Sequence, residues 1–119
     1  MRFLCLYKPD KPERPPTQEE MAEMGKLIGE AMQAGWLIAT EGCLPSAAGA
    51  RVRLSSGKFT VTDGPFAETK ELIGGFAIIQ ANSKREAIEH IKYFLQVAGG
   101  GETEIRELHE APVALPAKA

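Results

Sequence analysis

Residues 63–71 read Asp-Gly-Pro-Phe-Ala-Glu-Thr-Lys-Glu. Asp63 precedes Gly64-Pro65, so its carboxylate can accept hydrogen bonds from the backbone N–H groups that follow, as an Asx turn. Pro65 fixes one backbone dihedral, and Gly64 can adopt conformations closed to other residues. That combination holds a loop rigid. Glu68, Lys70 and Glu71 then set two carboxylates beside an ammonium. A carboxylate held near others and partly buried keeps its proton to higher pH and can serve as a general acid or base. Asp63 is the first candidate for that role, with Glu68 and Lys70 next. The same residues also describe a rigid turn followed by a solvated, self-neutralising loop. Both readings stand.

Other side chains could bind without reacting. Arg51 and Arg53 alternate along a strand and share one face, where guanidinium groups suit carboxylates or phosphates. Glu41 and Glu71 are equally good partners for them. Tyr7 and Phe66 offer apolar walls, and Tyr7 adds a polar handle. Trp36 could join them, although a helix-capping position already explains it. His90 and His109 lack a second His or Cys at ligand spacing, so no metal site is expected. His90 sits at the flank of a helical stripe and is expected to face solvent. Gly99-Gly100-Gly101 follows a helix and lacks a trailing Lys-Ser/Thr, so it is not a phosphate loop. No cofactor motif is present, so any chemistry is expected to be cofactor-free proton transfer.

These residues need elements to position them. Residues 2–7 form a strand that is apolar on both faces: Phe3, Cys5 and Tyr7 against Leu4 and Leu6. Residues 8–16 hold four prolines and connect to a helix. Thr17 and Glu20 have capping-box spacing at its start. Met21, Met24, Leu27, Ile28, Ala31 and Met32 recur at helical spacing and are expected to pack in the core. Gly35 suits a left-handed position just past the end, with Trp36 folding back. A short strand over 36–39 precedes a loop over 41–49.

Residues 51–54 and 58–62 form a hairpin across Ser56-Gly57. Its register sets Val52 and Leu54 opposite Val61 and Phe59, with Arg51 and Arg53 opposite Thr62 and Thr60. A second two-faced strand covers 72–81. Ser83 and Glu86 repeat the capping box and open a second helix, which the glycine triplet stops. Residues 103–108 make a last strand, and residues 111–119 read as a frayed tail.

The 119 residues suit one domain spanning the chain, large enough to bury a core unaided. A net charge of −2 and the lack of any long Lys/Arg run argue against nucleic acid. The N-terminal apolar stretch is too short for a signal peptide, and no segment reads as a membrane span, so a cytoplasmic location is expected. Cys5 reads as a small buried hydrophobe, and a Cys5–Cys43 disulfide is not expected.

The order strand, helix, strand, hairpin, strand, helix, strand predicts an α+β, ferredoxin-like split βαβ fold with an antiparallel sheet and an inserted hairpin. Two helices cover one sheet face, yet two strands are apolar on both. The second face is expected to close against another copy, giving a homodimer.

Residues Val61 to Glu71, followed by Gly74-Gly75-Phe76, resemble the signature of the DGPF-domain branch of the YCII-related proteins. Glu41-Gly42-Cys43-Leu44-Pro45, Arg51-Val52-Arg53 and Glu104-Ile105-Arg106 resemble other segments of that branch, so the likeness covers about residues 1–110. The resemblance implies a ferredoxin-like fold that dimerises as an α/β barrel. It also implies two functional classes. Some relatives accompany extracytoplasmic-function sigma factors, which implies a non-catalytic accessory module. Others are proposed enzymes with a His–Asp pair, but here the first helix carries no histidine. The expected functions are therefore a small-molecule-binding or catalytic dimer, with its pocket between the sheet and the Asp63–Glu71 loop, and a sigma-factor accessory module.

Overall fold

The computed structural model describes residues 1–10, 14–66 and 72–110. The elements are β1 (Arg2–Lys8), α1 (Gln18–Ala34), β2 (Leu37–Gly42), β3 (Ala50–Ser55), β4 (Lys58–Asp63), β5 (Gly75–Gln80), α2 (Lys84–Ala98) and β6 (Glu102–Glu107). A single helical turn, Ser46–Ala48, precedes β3. The main sheet has the order β2-β5-β1-β6, every neighbour antiparallel. This is the ferredoxin-like arrangement, with the β3–β4 hairpin inserted between β2 and β5. Expected boundaries move by a few residues. The second strand runs on to Gly42, and β5 starts only at Gly75.

Local chemistry sets both helices. Thr17 Oγ1 accepts from the Glu20 N–H at 3.1 Å, and Glu20 Oε1 accepts from the Thr17 N–H at 2.9 Å, closing the capping box. Gly35 ends α1 at φ 90°, as its position predicts. At α2 only half of the second box forms. Ser83 Oγ accepts from the Glu86 N–H, but Glu86 Oε2 faces the N–H of Asn82, one residue too early.

Alternation along the strands decides what the helices cover. Phe3, Cys5 and Ile79 are almost fully buried and cluster with Ala31, Ala87 and Ile91 of the helices. The opposite face presents Leu4, Leu6, Phe76 and Ile78, each only half-buried, and no helix crosses it. Two members of the methionine stripe miss the core: Met21 and Met32 are 54% and 47% exposed. The stripe is wider than the surface that the sheet offers α1, so its edges stay outside.

The hairpin has the expected register, with Val52 opposite Val61 and Leu54 opposite Phe59. Both strands are exposed along their whole length. Val52, Leu54, Phe59 and Val61 are 61–73% exposed and line one face. A two-stranded ribbon is marginal alone in water. Its base is pinned instead. The Gly64 N–H donates to Gly49 O at 2.9 Å, and the Phe66 N–H donates to Ser46 Oγ at 3.2 Å.

Gly64 is needed there for space, not for a left-handed backbone. A Cβ on it would lie 1.7 Å from the Ser46 carbonyl oxygen, whereas one on Gly49 would sit 3.5 Å from the same atom. Gly64→Ala is therefore expected to cost about 1–3 kcal/mol, the range for forcing atoms into filled space. Gly49→Ala should stay near wild type in the same urea titration. Equal losses at the two sites would contradict the close-approach account.

Candidate functional site

Between the helices and the sheet lies a cavity of about 690 Å³. Its floor is the covered sheet face: Cys5 and Tyr7 from β1, Ala77 and Ile79 from β5, and Thr103 from β6. Met24, Leu27 and Ile28 of α1 and Phe94 and Val97 of α2 form its walls, with Trp36 at the turn into β2. A cavity of this size holds a small organic molecule.

Tyr7 is the best-anchored residue in the wall. Its ring packs edge-on against Phe94, with centroids 5.1 Å apart, and its hydroxyl donates to Gly100 O at 3.0 Å. Gly101 lets it lie there. That residue has φ 107°, and a Cβ on it would meet the Tyr7 ring at 2.7 Å. Burial pushes the Tyr7 phenol pKa up, with the nearby Asp10 and Glu20 carboxylates adding to the shift. Burial also raises the Cys5 thiol to about 11. Both groups are therefore neutral at physiological pH. The Thr40 hydroxyl donates to Phe76 O at 2.9 Å. Thr103 differs: its Oγ1 is buried and has no hydrogen-bond partner.

Among the described residues that line it, the charged ones are Arg14, Glu20 and Glu41. Arg14 grips Glu20 through two parallel bonds of 2.8 Å. The Arg14 guanidinium first, and then the Thr17 N–H, hold the Glu20 carboxyl near 2. Among the described residues no polar or charged side chain is buried as a whole, and no group of three His, Cys, Asp or Glu converges as a metal set would.

The residues singled out from sequence fall in different places. Tyr7 lines the cavity. Asp63 ends β4, exposed and paired with Ala50, and borders neither this cavity nor a second, shallower one of about 470 Å³. Arg51 and Phe66 border that second cavity, with the guanidinium 3.9 Å above the Phe66 ring. Arg53 is exposed on the hairpin. Glu68, Lys70 and Glu71 lie outside the described residues.

His90 is not solvent-facing. It stacks on Trp36 with centroids 4.1 Å apart, and its buried Nε2 lies 3.7 Å from Glu86 Oε1, beyond hydrogen-bond reach. Trp36 folding back over the end of α1 covers it. Thr103 and the cavity itself went unseen in the sequence, where a single threonine in a strand carries no signal.

The model of the YCII-related domain matches residues 1–110. The chain belongs to the YCII-related family. An uncharacterised protein of Rhizobium meliloti (strain 1021) is 38% identical to it over 69 residues, 58% of this chain. The match spans only 56% of that curated relative's length. Among solved structures, 5-chloro-2-hydroxyhydroquinone dehydrochlorinase from Burkholderia phenoliruptrix AC1100, in complex with 2,5-dihydroxybenzoquinone, is 17% identical. It superposes with a TM-score of 0.49 over 91% of this chain and 93% of that one.

In this YCII-related chain the rim pair gives a direct titration test. Glu20 is expected to titrate near 2 in a carbon-detected NMR series, against an ordinary value of 4.5. Arg14→Gln removes the largest cause and should move the midpoint upward. A midpoint that ignores Arg14→Gln would leave the Thr17 cap as the whole explanation.

Proposed function

We propose that the chain is a homodimeric small-molecule-binding protein that holds its ligand in the cavity between the helices and the sheet. The cavity carries this reading: it is walled mostly by apolar side chains and has a charged rim, the usual composition of a ligand site. The dimer follows from the uncovered sheet face. Leu4, Leu6, Phe76 and Ile78 form an apolar patch with no helix over it, and a two-fold mate presenting the same patch would cover both. Such an interface should bury at least about 1,200 Å². Proton transfer by Asp63, helped by Glu68 and Lys70, would be a catalytic reading with its site at the Asp63 turn, outside this cavity. Arg51, Arg53, Phe66 and Glu71 would then meet substrate at a cleft that the dimer completes.

An accessory role on an extracytoplasmic-function sigma factor is the second reading. The exposed apolar face of the hairpin favours it, since such a strip suits a protein partner.

Thermal-shift screening of neutral small molecules tests the first reading. A ligand at a hundred times its Kd stabilises by about 2.7 kcal/mol. Hits should raise the melting temperature of wild type and of Asp63→Asn, but lose their effect on Ala77→Leu, which fills the cavity floor. Loss with Asp63→Asn and retention with Ala77→Leu would move the site to the Asp63 turn. For the dimer, light scattering at micromolar concentration should give twice the chain mass, and Ile78→Glu should give the monomer with its far-UV spectrum intact. A monomeric wild type would contradict the covered face and turn attention to the hairpin as a surface for another protein.

A further inference from the structure

The hairpin of β3 and β4 has two unlike faces. Val52, Leu54, Phe59 and Val61 form one, and Arg51, Arg53, Thr60 and Thr62 form the other. The polar face meets its own chain at the base, where the Arg51 guanidinium lies 3.9 Å above the Phe66 ring. The apolar face stays open: Val52 is 68% exposed, Leu54 61%, Phe59 73% and Val61 63%. Leu4, Leu6, Phe76 and Ile78 on the uncovered sheet face are all less exposed than these.

Area decides what the strip is for. Taking about 150 Å² for each large apolar residue, the low end of the aromatic range, the hairpin strip leaves roughly 400 Å² of apolar surface in water. On the same scale the four sheet-face residues leave no more than about 200 Å². The other positions on that face add little, since β1 and β6 supply Arg2, Lys8, Glu104 and Arg106 there. A specific dimer buries at least about 600 Å² on each copy, and about 60% of that is apolar, which asks for roughly 350 Å². The sheet face alone falls short by nearly half. The sheet face and the hairpin strip together exceed it.

The arm also has the reach. Each hairpin strand has six residues. At about 3.4 Å per residue the arm is about 20 Å long, and stacked sheets lie about 10 Å apart, so an arm of this length can cross the joint. Its base is fixed by the bond from the Gly64 N–H to Gly49 O, so little freedom remains to be lost on docking.

We propose that the apolar face of the hairpin packs against the second copy, so that each subunit clasps the other with one arm. This rests on the chain being a dimer, and it names the surface that supplies most of the apolar contact. The two-fold axis makes the clasp reciprocal, and the polar face of each arm stays toward solvent.

Sedimentation equilibrium measures the dimer dissociation constant. Phe59→Ala removes the ring of the strip, and the two-fold axis repeats the loss. It should weaken the dimer at least about tenfold, as truncating a buried aromatic anchor does. Thr60→Ala, on the polar face, should leave the constant unchanged. Both variants should keep the wild-type far-UV spectrum, because both positions are exposed and lie outside the core. A second measurement reads the contact itself. In dimers mixed from isotope-labelled and unlabelled chains, filtered NOE spectra should connect the Phe59 ring to protons of the other copy.

A dimeric wild type whose constant ignores Phe59→Ala would overturn the clasp and leave the sheet-face dimer standing, with the strip open to a different protein. Weakening without the signal between copies would place the effect of Phe59 inside its own chain and also overturn the clasp. A dimer that survives Ile78→Glu but not Phe59→Ala would keep the clasp and remove the sheet face from the interface. A wild type that stays monomeric at micromolar concentration would overturn clasp and dimer together.

Discussion

Phe3, Cys5 and Ile79 on one side of the sheet and Leu4, Leu6 and Ile78 on the other cannot all be sheltered by α1 and α2. Two helices of 17 and 15 residues have room on one face of a four-stranded sheet and no more. The rest follows from that constraint. On the covered side the helices lie over the sheet, and the space left between them is the cavity. On the uncovered side the apolar residues stay half-wet until something flat and apolar meets them. The hairpin adds a third apolar strip, held out from the sheet by the contact between Gly64 and the Ser46–Gly49 turn.

The two sides suit different partners. The covered side is concave, closed by aromatic rings and neutral inside, which fits a molecule. The open side is broad and carries ionic groups at its β6 edge, where Glu104 bonds to Lys8 at 3.3 Å and to Arg106 at 2.9 Å. A rim of paired charges around an apolar centre is how protein interfaces are built. The cavity and the uncovered apolar face share strands β1 and β5. Alternate residues of one strand, such as Cys5 and Leu6, therefore serve opposite tasks.

The sequence made much of the scaffold legible. Period-two alternation identified β1 and β5 as apolar on both faces, and the capping box at Thr17 and Glu20 placed the start of α1 to the residue. The hairpin register follows from Ser56-Gly57 alone. Legibility failed where a contact between distant segments decides the outcome. Gly64 reads as a conformational device, yet its role is to let two backbones meet. His90 reads as solvated because its own helix leaves it at the flank, and only the return of Trp36 covers it.

The candidate site was less legible still. Tyr7 could be picked out because an aromatic hydroxyl on a two-faced strand is unusual chemistry. The cavity could not, since it is a volume left between the helices and the sheet, and volume leaves no periodic trace. The conspicuous charged run at residues 63–71 drew the expected site toward the loop that follows the hairpin.

A crystal structure of the protein grown with a hit from the thermal-shift screen would test the division of labour between the two sheet faces most directly. The account predicts the molecule between the helices and the sheet, against Phe94 and Ala77, and Leu4, Leu6 and Ile78 packed against the same residues of a second copy. A ligand seated at the Asp63–Phe66 turn, beside a lone subunit with its second sheet face in solvent, would contradict it.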